Sequence, residues 1–210
     1  MPISQALVIA ALNGLEVNYP SDFKFGVDNK TPEYLAKFPL GKVPGFEGAD
    51  GFTLAEGSAI AAYLAGSGPL APQLLGSDLQ TKAKIAEWTL FTNTELVVHS
   101  TPPLLMMLKF VPFDAARYDF SAAAFARAVS RVEAAVKDGR QYLVGDKLTL
   151  ADLEVAAALF YAGGFLMDAE MRQAAPATVE WLKGIIAATP EFAKVFGEYK
   201  PCETRVKGGA

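Results

Sequence analysis

Two segments carry side chains suited to holding a small polar ligand. In Leu54-Ala55-Glu56-Gly57-Ser58-Ala59-Ile60, Glu56 and Ser58 stand where an extended stretch passes into a helix. Free N–H groups and the helix dipole suit that point to a carboxylate, and the Glu56 carboxylate can hold an ammonium. Such a pair takes the α-carboxyl and α-amino groups of an amino acid. A capped helix with a solvated glutamate uses the same residue types, so that alternative stays open. In Gly41-Lys42-Val43-Pro44, a proline follows an apolar residue just before a strand. That makes Val43-Pro44 a candidate cis peptide. A cis bond would turn the Val43 backbone outward, where its N–H and C=O can pair with a peptide-like ligand. An ordinary trans bond at a strand edge is the alternative.

A third segment is structural. In Leu148-Thr149-Leu150-Ala151-Asp152-Leu153, Thr149 can accept from the N–H of Asp152, whose carboxylate can reach back to the N–H of Thr149. Leu148 and Leu153 flank this capping box as a hydrophobic staple. The following helix is apolar nearly all round, as a buried central helix is.

Other chemistries are poorly supplied. His99 is the single histidine and Cys202 the single cysteine of 210 residues, so a multi-histidine metal site and an internal disulfide are excluded. Cys202 lies near the tail with no neighbouring base, which reads as an incidental thiol in a reducing compartment. A net charge of −4 disfavours binding to phosphate backbones over the whole surface. No apolar run is long enough to span a bilayer, and no charged region precedes an apolar stretch at the start as in a signal peptide. The expectation is a cytoplasmic protein without direct nucleic-acid or membrane partners.

These segments need elements to position them. Residues 3–12 read as a short helix stopped by Asn13-Gly14. Leu15, Val17 and Tyr19 alternate with polar residues like a half-buried strand. Thr31-Pro32-Glu33 starts a short helix that ends before Pro39. Residues 43–47 and 51–54 form a β-hairpin around Gly48-Ala49-Asp50-Gly51. A helix over 58–64 ends at Gly66-Ser67-Gly68-Pro69, the best domain boundary. Everything after Ser77 reads as helix and loop, with a break or kink at Pro102-Pro103. Phe125, Val129, Val132 and Val136 share one face of a helix capped near Gly139, and further helices follow over 149–161, 178–188 and 190–196. The units are 1–68, 77–200 and a flexible tail, 201–210.

In this order and spacing, the three segments resemble the glutathione transferase superfamily. The match narrows to the N-terminal domain of the gamma subunit of elongation factor 1. It does so through Asn29-Lys30-Thr31-Pro32-Glu33-Tyr34-Leu35, Lys37-Phe38-Pro39-Leu40-Gly41-Lys42-Val43-Pro44, Tyr142-Leu143-Val144-Gly145-Asp146, and Met171-Arg172-Gln173-Ala174-Ala175-Pro176. The resemblance runs from about Ala6 to Glu203. It implies an α/β thioredoxin-like N-terminal domain, its first strand missing here, followed by an all-α helical bundle. It implies that Lys42, Val43, Pro44, Glu56, Gly57 and Ser58 are the weak glutathione-binding candidates, that Thr149 and Asp152 close the core helix, and that no other cofactor is needed.

Two departures bear on activity. The family's first strand, with the adjoining Tyr, Ser or Cys that contacts the thiol, has no counterpart. Ser4 is the only hydroxyl before Gly14, and it reads as a helix cap. The remaining strands should therefore close up, be covered by a partner, or be completed by residues beyond this sequence. The family's Glu-Ser becomes Glu56-Gly57, and Ser58 would point about 100° away around the helix. No catalytic residue is assigned. The resemblance implies a non-catalytic scaffold that docks the nucleotide-exchange subunit of the elongation factor 1 complex, with homodimerisation open. An active glutathione transferase is the alternative, and an assembly domain of an aminoacyl-tRNA synthetase complex is a third.

Overall fold

The computed structural model describes residues 2–206. Helix α1 (Pro2–Leu12) opens the chain and buries Ala6, Val8, Ile9 and Ala10. Its end is fixed by Asn13, a buried side chain that donates to the carbonyls of Leu64 (2.9 Å) and Ala65 (3.2 Å) and accepts from the N–H of Leu70 (3.0 Å). These bonds tie α1 to the last turn of α3 (Gly57–Gly66) and to the entry of α4 (Ala71–Leu75), a short helix not expected from the sequence.

The sheet is smaller than the residue pattern suggests. Strands β1 (Gly45–Glu47) and β2 (Thr53–Ala55) form an antiparallel hairpin with Gly45 opposite Ala55, Phe46 opposite Leu54 and Glu47 opposite Thr53. Residues 15–19 have the alternation of a strand but form none. A strand exists only through cross-strand hydrogen bonds, and residues 16–19 make no backbone bond to any described residue. The expectation that the remaining strands close up is therefore not met. A groove of about 970 Å³ instead separates Leu15 to Tyr19 from Phe46. Helix α2 (Pro32–Lys37) starts as expected, with Thr31 Oγ accepting from Tyr34 N–H at 3.3 Å.

The helical half begins at α5 (Leu79–Phe91), capped by Asp78, which accepts from Thr81 N–H at 2.9 Å. One wide π turn (Thr92–Val97) joins it to α6 (Val98–Met107). Pro102 and Pro103 lie inside α6 and do not end it. The irregularity, the π turn, sits just upstream of α6. Helix α7 (Ala115–Val136) buries Phe125, Val129, Val132 and Val136 as one face. Helix α8 (Leu150–Gly163) is the axis of the bundle and is buried from Leu150 through Leu159. It packs on α5, the π turn and α10 (Pro176–Ala188) of its own half, and on α1 and α3 of the other. Its capping box is closed: Asp152 accepts from Thr149 N–H (2.8 Å) and also from Leu143 N–H (2.7 Å). Short helices α9 (Ala169–Ala174) and α11 (Pro190–Phe196) complete the bundle.

The start of the tail lies against the bundle. Residues 201–206 are strapped to the bundle: Cys202 N–H donates to the Gly163 carbonyl (2.8 Å), Val206 N–H to the Phe165 carbonyl (2.9 Å), and Arg205 Nε to Asp168 Oδ2 (2.7 Å). Glycine content suggested fraying, but the carbonyls left open at the end of α8 need donors, and the tail supplies them. The last residues, 207–210, lie outside the described ones. Among the described residues no helix is long and apolar enough to cross a membrane.

Candidate functional site

A cavity of about 440 Å³ lies where the two halves meet, lined by the loop before β1, the start of α3, the π turn, α1 and α8. All six sequence candidates, Lys42, Val43, Pro44, Glu56, Gly57 and Ser58, line it. The Val43-Pro44 bond is cis.

The loop that presents Lys42 and Val43 is held from behind. Asn29, buried, donates Nδ2 to the Gly41 carbonyl at 2.6 Å and accepts from Gly26 N–H at 2.6 Å. Tyr34 donates its hydroxyl to the Lys42 carbonyl at 2.7 Å. Gly41 adopts φ +56, and a Cβ there would meet the Asn29 carbonyl at 2.8 Å, so only glycine fits this bend.

On the opposite wall Glu56 is the N-cap of α3 with φ +70, a left-handed conformation that a glutamate adopts at a cost of about 1–3 kcal/mol. Its side chain caps nothing. The strained backbone holds an exposed carboxylate at the mouth, beside the free N–H groups of the first turn. Gly57 contributes only backbone. Ser58 faces the interior: its hydroxyl donates to Glu154 Oε2 at 2.7 Å and accepts from Asn93 Nδ2 at 2.7 Å.

Among the lining residues that were not sequence candidates are Gln5, Asn93 and Glu154. Gln5 donates Nε2 to Glu154 Oε1 at 3.2 Å. Burial pushes the Glu154 carboxyl up to about 7, partly offset by the bond from Ser58. One signal was available: Glu154 is a charged residue inside a helix that is otherwise apolar nearly all round, as Asp152 is, but outside the capping box. Gln5 and Asn93 carried no signal, because only the packing of α1 and the π turn against α8 brings them there. Burial likewise raises Asp152 to about 6 against its hydrogen bonds from Leu143 and Thr149.

Cys202 and His99 stay away from the cavity. The Cys202 thiol is raised by burial on the strap, and His99 stacks edge-on against Phe120. Among the described residues no group of His, Cys, Asp and Glu could hold a metal ion. The lining hydroxyls are Thr53, Ser58 and Thr92, and Thr92 is bonded to the Trp88 carbonyl at 2.9 Å.

Comparison with known proteins agrees with this architecture. Residues 3–66 match the family described as glutathione S-transferase, N-terminal domain, and residues 92–188 match glutathione S-transferase, C-terminal domain. The glutathione S-transferase-like protein LUC7 of Fusarium sp is 44% identical over 195 residues, 93% of this chain and 88% of that protein. The chain belongs to the glutathione S-transferase family. The glutathione S-transferase-like protein FUS3 of Gibberella moniliformis is 39% identical over 203 residues, 97% of this chain and 91% of that protein. Human elongation factor 1-gamma is 34% identical over 202 residues, which are 95% of this chain but 45% of that protein. Among solved structures, the GST-like domain of elongation factor 1-gamma from Saccharomyces cerevisiae superposes with a TM-score of 0.79 at 26% identity, covering 99% of this chain and 93% of that one. The cavity of this transferase-family chain therefore lies between its two family domains, with one wall from each.

Proposed function

We propose that the chain is a glutathione-transferase-like protein whose interdomain cavity binds a γ-glutamyl thiol peptide of the glutathione type. The observation that carries this reading is the convergence of two unlike walls on one cavity. The Val43 backbone offers an N–H and a C=O to a peptide. The start of α3 offers N–H groups to a carboxylate, with the Glu56 carboxylate beside them for an ammonium. With Gly57 in place of a hydroxyl residue and Ser58 donating to Glu154, one hydrogen bond to the ligand is lost, worth on the order of 1–3 kcal/mol. Transfer to an electrophile needs a donor that stabilises the thiolate. None of the lining hydroxyls named above is a tyrosine or stands at the head of α1.

In a second reading the fold serves as a scaffold. The 34% identity to elongation factor 1-gamma along 95% of the chain favours docking of the nucleotide-exchange subunit of the elongation factor 1 complex in the cytoplasm, without catalysis. Calorimetric titration with glutathione separates the two. A saturable isotherm with Kd below about 1 mM, roughly −4 kcal/mol, supports the ligand site, and turnover with an electrophile is then assayed. No heat up to several millimolar sinks the ligand reading and moves the search to capture of the exchange subunit.

A further inference from the structure

The groove beside β1 has two open backbone edges and an apolar floor. It is lined by β1 and by residues 15–20, and by no residue of β2, so it runs along the edge of β1 that β2 does not occupy. In an antiparallel pair, successive residues turn their backbone groups alternately toward the partner strand and away from it. Gly48 N–H donates to the Phe52 carbonyl at 2.8 Å, and Phe46 lies opposite Leu54. The backbone of Phe46 therefore faces β2, and the N–H and C=O groups of Gly45 and Glu47 point outward along the groove. Neither residue makes a backbone bond elsewhere among the described residues. On the far rim Leu15 and Val17 are half-buried while Glu16 and Asn18 are exposed, the alternation of an extended chain, and residues 16–19 have no backbone partner among the described residues. Leu7 of α1 and Ile60, Tyr63 and Leu64 of α3 supply the apolar floor. Open edges of this kind are templates for another strand.

The charges around the groove indicate which strand. Its lining carries the carboxylates of Glu16, Asp28, Glu33 and Glu47 against the single cation Lys37, which Glu47 already holds at 2.6 Å. Glu16 and Glu33 are exposed and, among the described residues, in no ion pair. We propose that this groove binds an extended segment of a partner protein as an added strand, about five residues of alternating apolar side chains flanked by lysine or arginine. Its backbone pairs with Gly45 and Glu47 on one side and with residues 16–19 on the other. Its apolar side chains rest on α1 and α3, and its cations meet Glu16 and Glu33. The site does not require a ligand in the interdomain cavity.

The test uses the full chain and three capped peptides of alternating valine and threonine. One is ended by lysines, one by glutamates, and the third is the lysine peptide with proline in place of each threonine. Proline removes N–H groups that a ladder needs. In calorimetry the lysine peptide is expected to bind saturably, and each of the others about tenfold more weakly or worse. With the lysine peptide bound, the amides of Gly45 and Glu47, and alternate amides among residues 16–19, are expected to exchange at least about tenfold more slowly by NMR. Glu16→Lys combined with Glu33→Lys, both at exposed positions, is expected to reverse the preference between the lysine and glutamate peptides. No binding of the lysine peptide, binding that leaves the Gly45 and Glu47 amides unprotected, or equal affinity for the proline peptide overturns the added strand. Equal affinity for the lysine and glutamate peptides, or a preference that the double variant keeps, overturns the basic partner. Slow Gly45 and Glu47 amides without any peptide, slower still as the protein is concentrated, would assign the groove to a second copy of this chain and likewise overturn the proposal.

Discussion

The two halves of the molecule are closed in different ways. Around α8, groups at both ends of the helix meet partners from the same half. Asp152 takes the N–H groups of Thr149 and Leu143 at the start, and the 201–206 strap supplies Cys202 and Val206 N–H to the carbonyls beyond its end. The first half has a two-stranded sheet of three-residue strands, neither with a buried residue, and an α2 with no buried residue at all. Residues 16–19 make no backbone bond to any described residue. The first half is held by α1 packing on α3, by α1 packing on α11 and α8, and by α3 packing on α8. A sheet this small is marginal alone, so the helical half is the platform and the cavity-lining loops are the part it carries.

The largest expected effect tests the platform. Asp152→Ala leaves two buried N–H groups unpaired and uncaps α8, and it is expected to destabilise the chain by on the order of 3 kcal/mol in urea denaturation. Loss of the first half alone, with the bundle intact, would reverse the proposed dependence. Next comes pH. The folded state holds the Glu154 proton up to about 7, whereas its ordinary value is 4.5. The unfolded chain therefore releases that proton first. Stability is expected to fall as pH rises from about 4.5 to about 7, by on the order of 1 kcal/mol per unit at most. Asp152 adds a fall in the same direction from 3.8 to about 6. Glu154→Gln should flatten its share, and a slope unchanged in the variant would assign the fall elsewhere.

A smaller effect probes the first half. Asn13→Ala removes three hydrogen bonds between α1, α3 and the α4 entry, about 2 kcal/mol. Amide exchange should quicken in residues 2–70 while α7 and α8 stay protected. Uniform loss of protection would mean that the halves unfold as one unit. The smallest effect concerns the strap. A Cβ at Gly163 would lie 2.6 Å from the Tyr199 ring, so Gly163→Ala is expected to cost about 1–2 kcal/mol. Exchange of the Cys202 and Val206 amides reports it. Unchanged protection there would show that the ring swings aside and the strap stays.

The helices were legible wherever periodicity and caps agreed: the apolar face of α7, the Thr149–Asp152 box and the Thr31 cap all follow from residue type and local spacing. The site was legible only in its loops. Lys42 to Pro44 and Glu56 to Ser58 carry local signatures, because a turn before a strand and a strained helix start are written in a few adjacent residues. The strand expected over 15–19 was misread for the opposite reason. Alternation describes a surface that suits pairing, but pairing needs a neighbouring strand at hydrogen-bonding distance, and residues 16–19 make no backbone bond to any described residue. The bonds of residues 201–206 to the bundle were not legible, because composition is silent on which carbonyls lie open beside them. By itself, then, the sequence determined the helices with clear caps or periodicity, the hairpin turn, the capping box and the two cavity-lining loops, all of them interactions within a few residues. Only the tertiary structure decided that Gln5, Ser58, Asn93 and Glu154 meet, with Gln5 and Glu154 separated by 149 positions. That contact depends on how α1, α3 and the π turn pack on α8, and such packing is a property of whole surfaces rather than of local spacing.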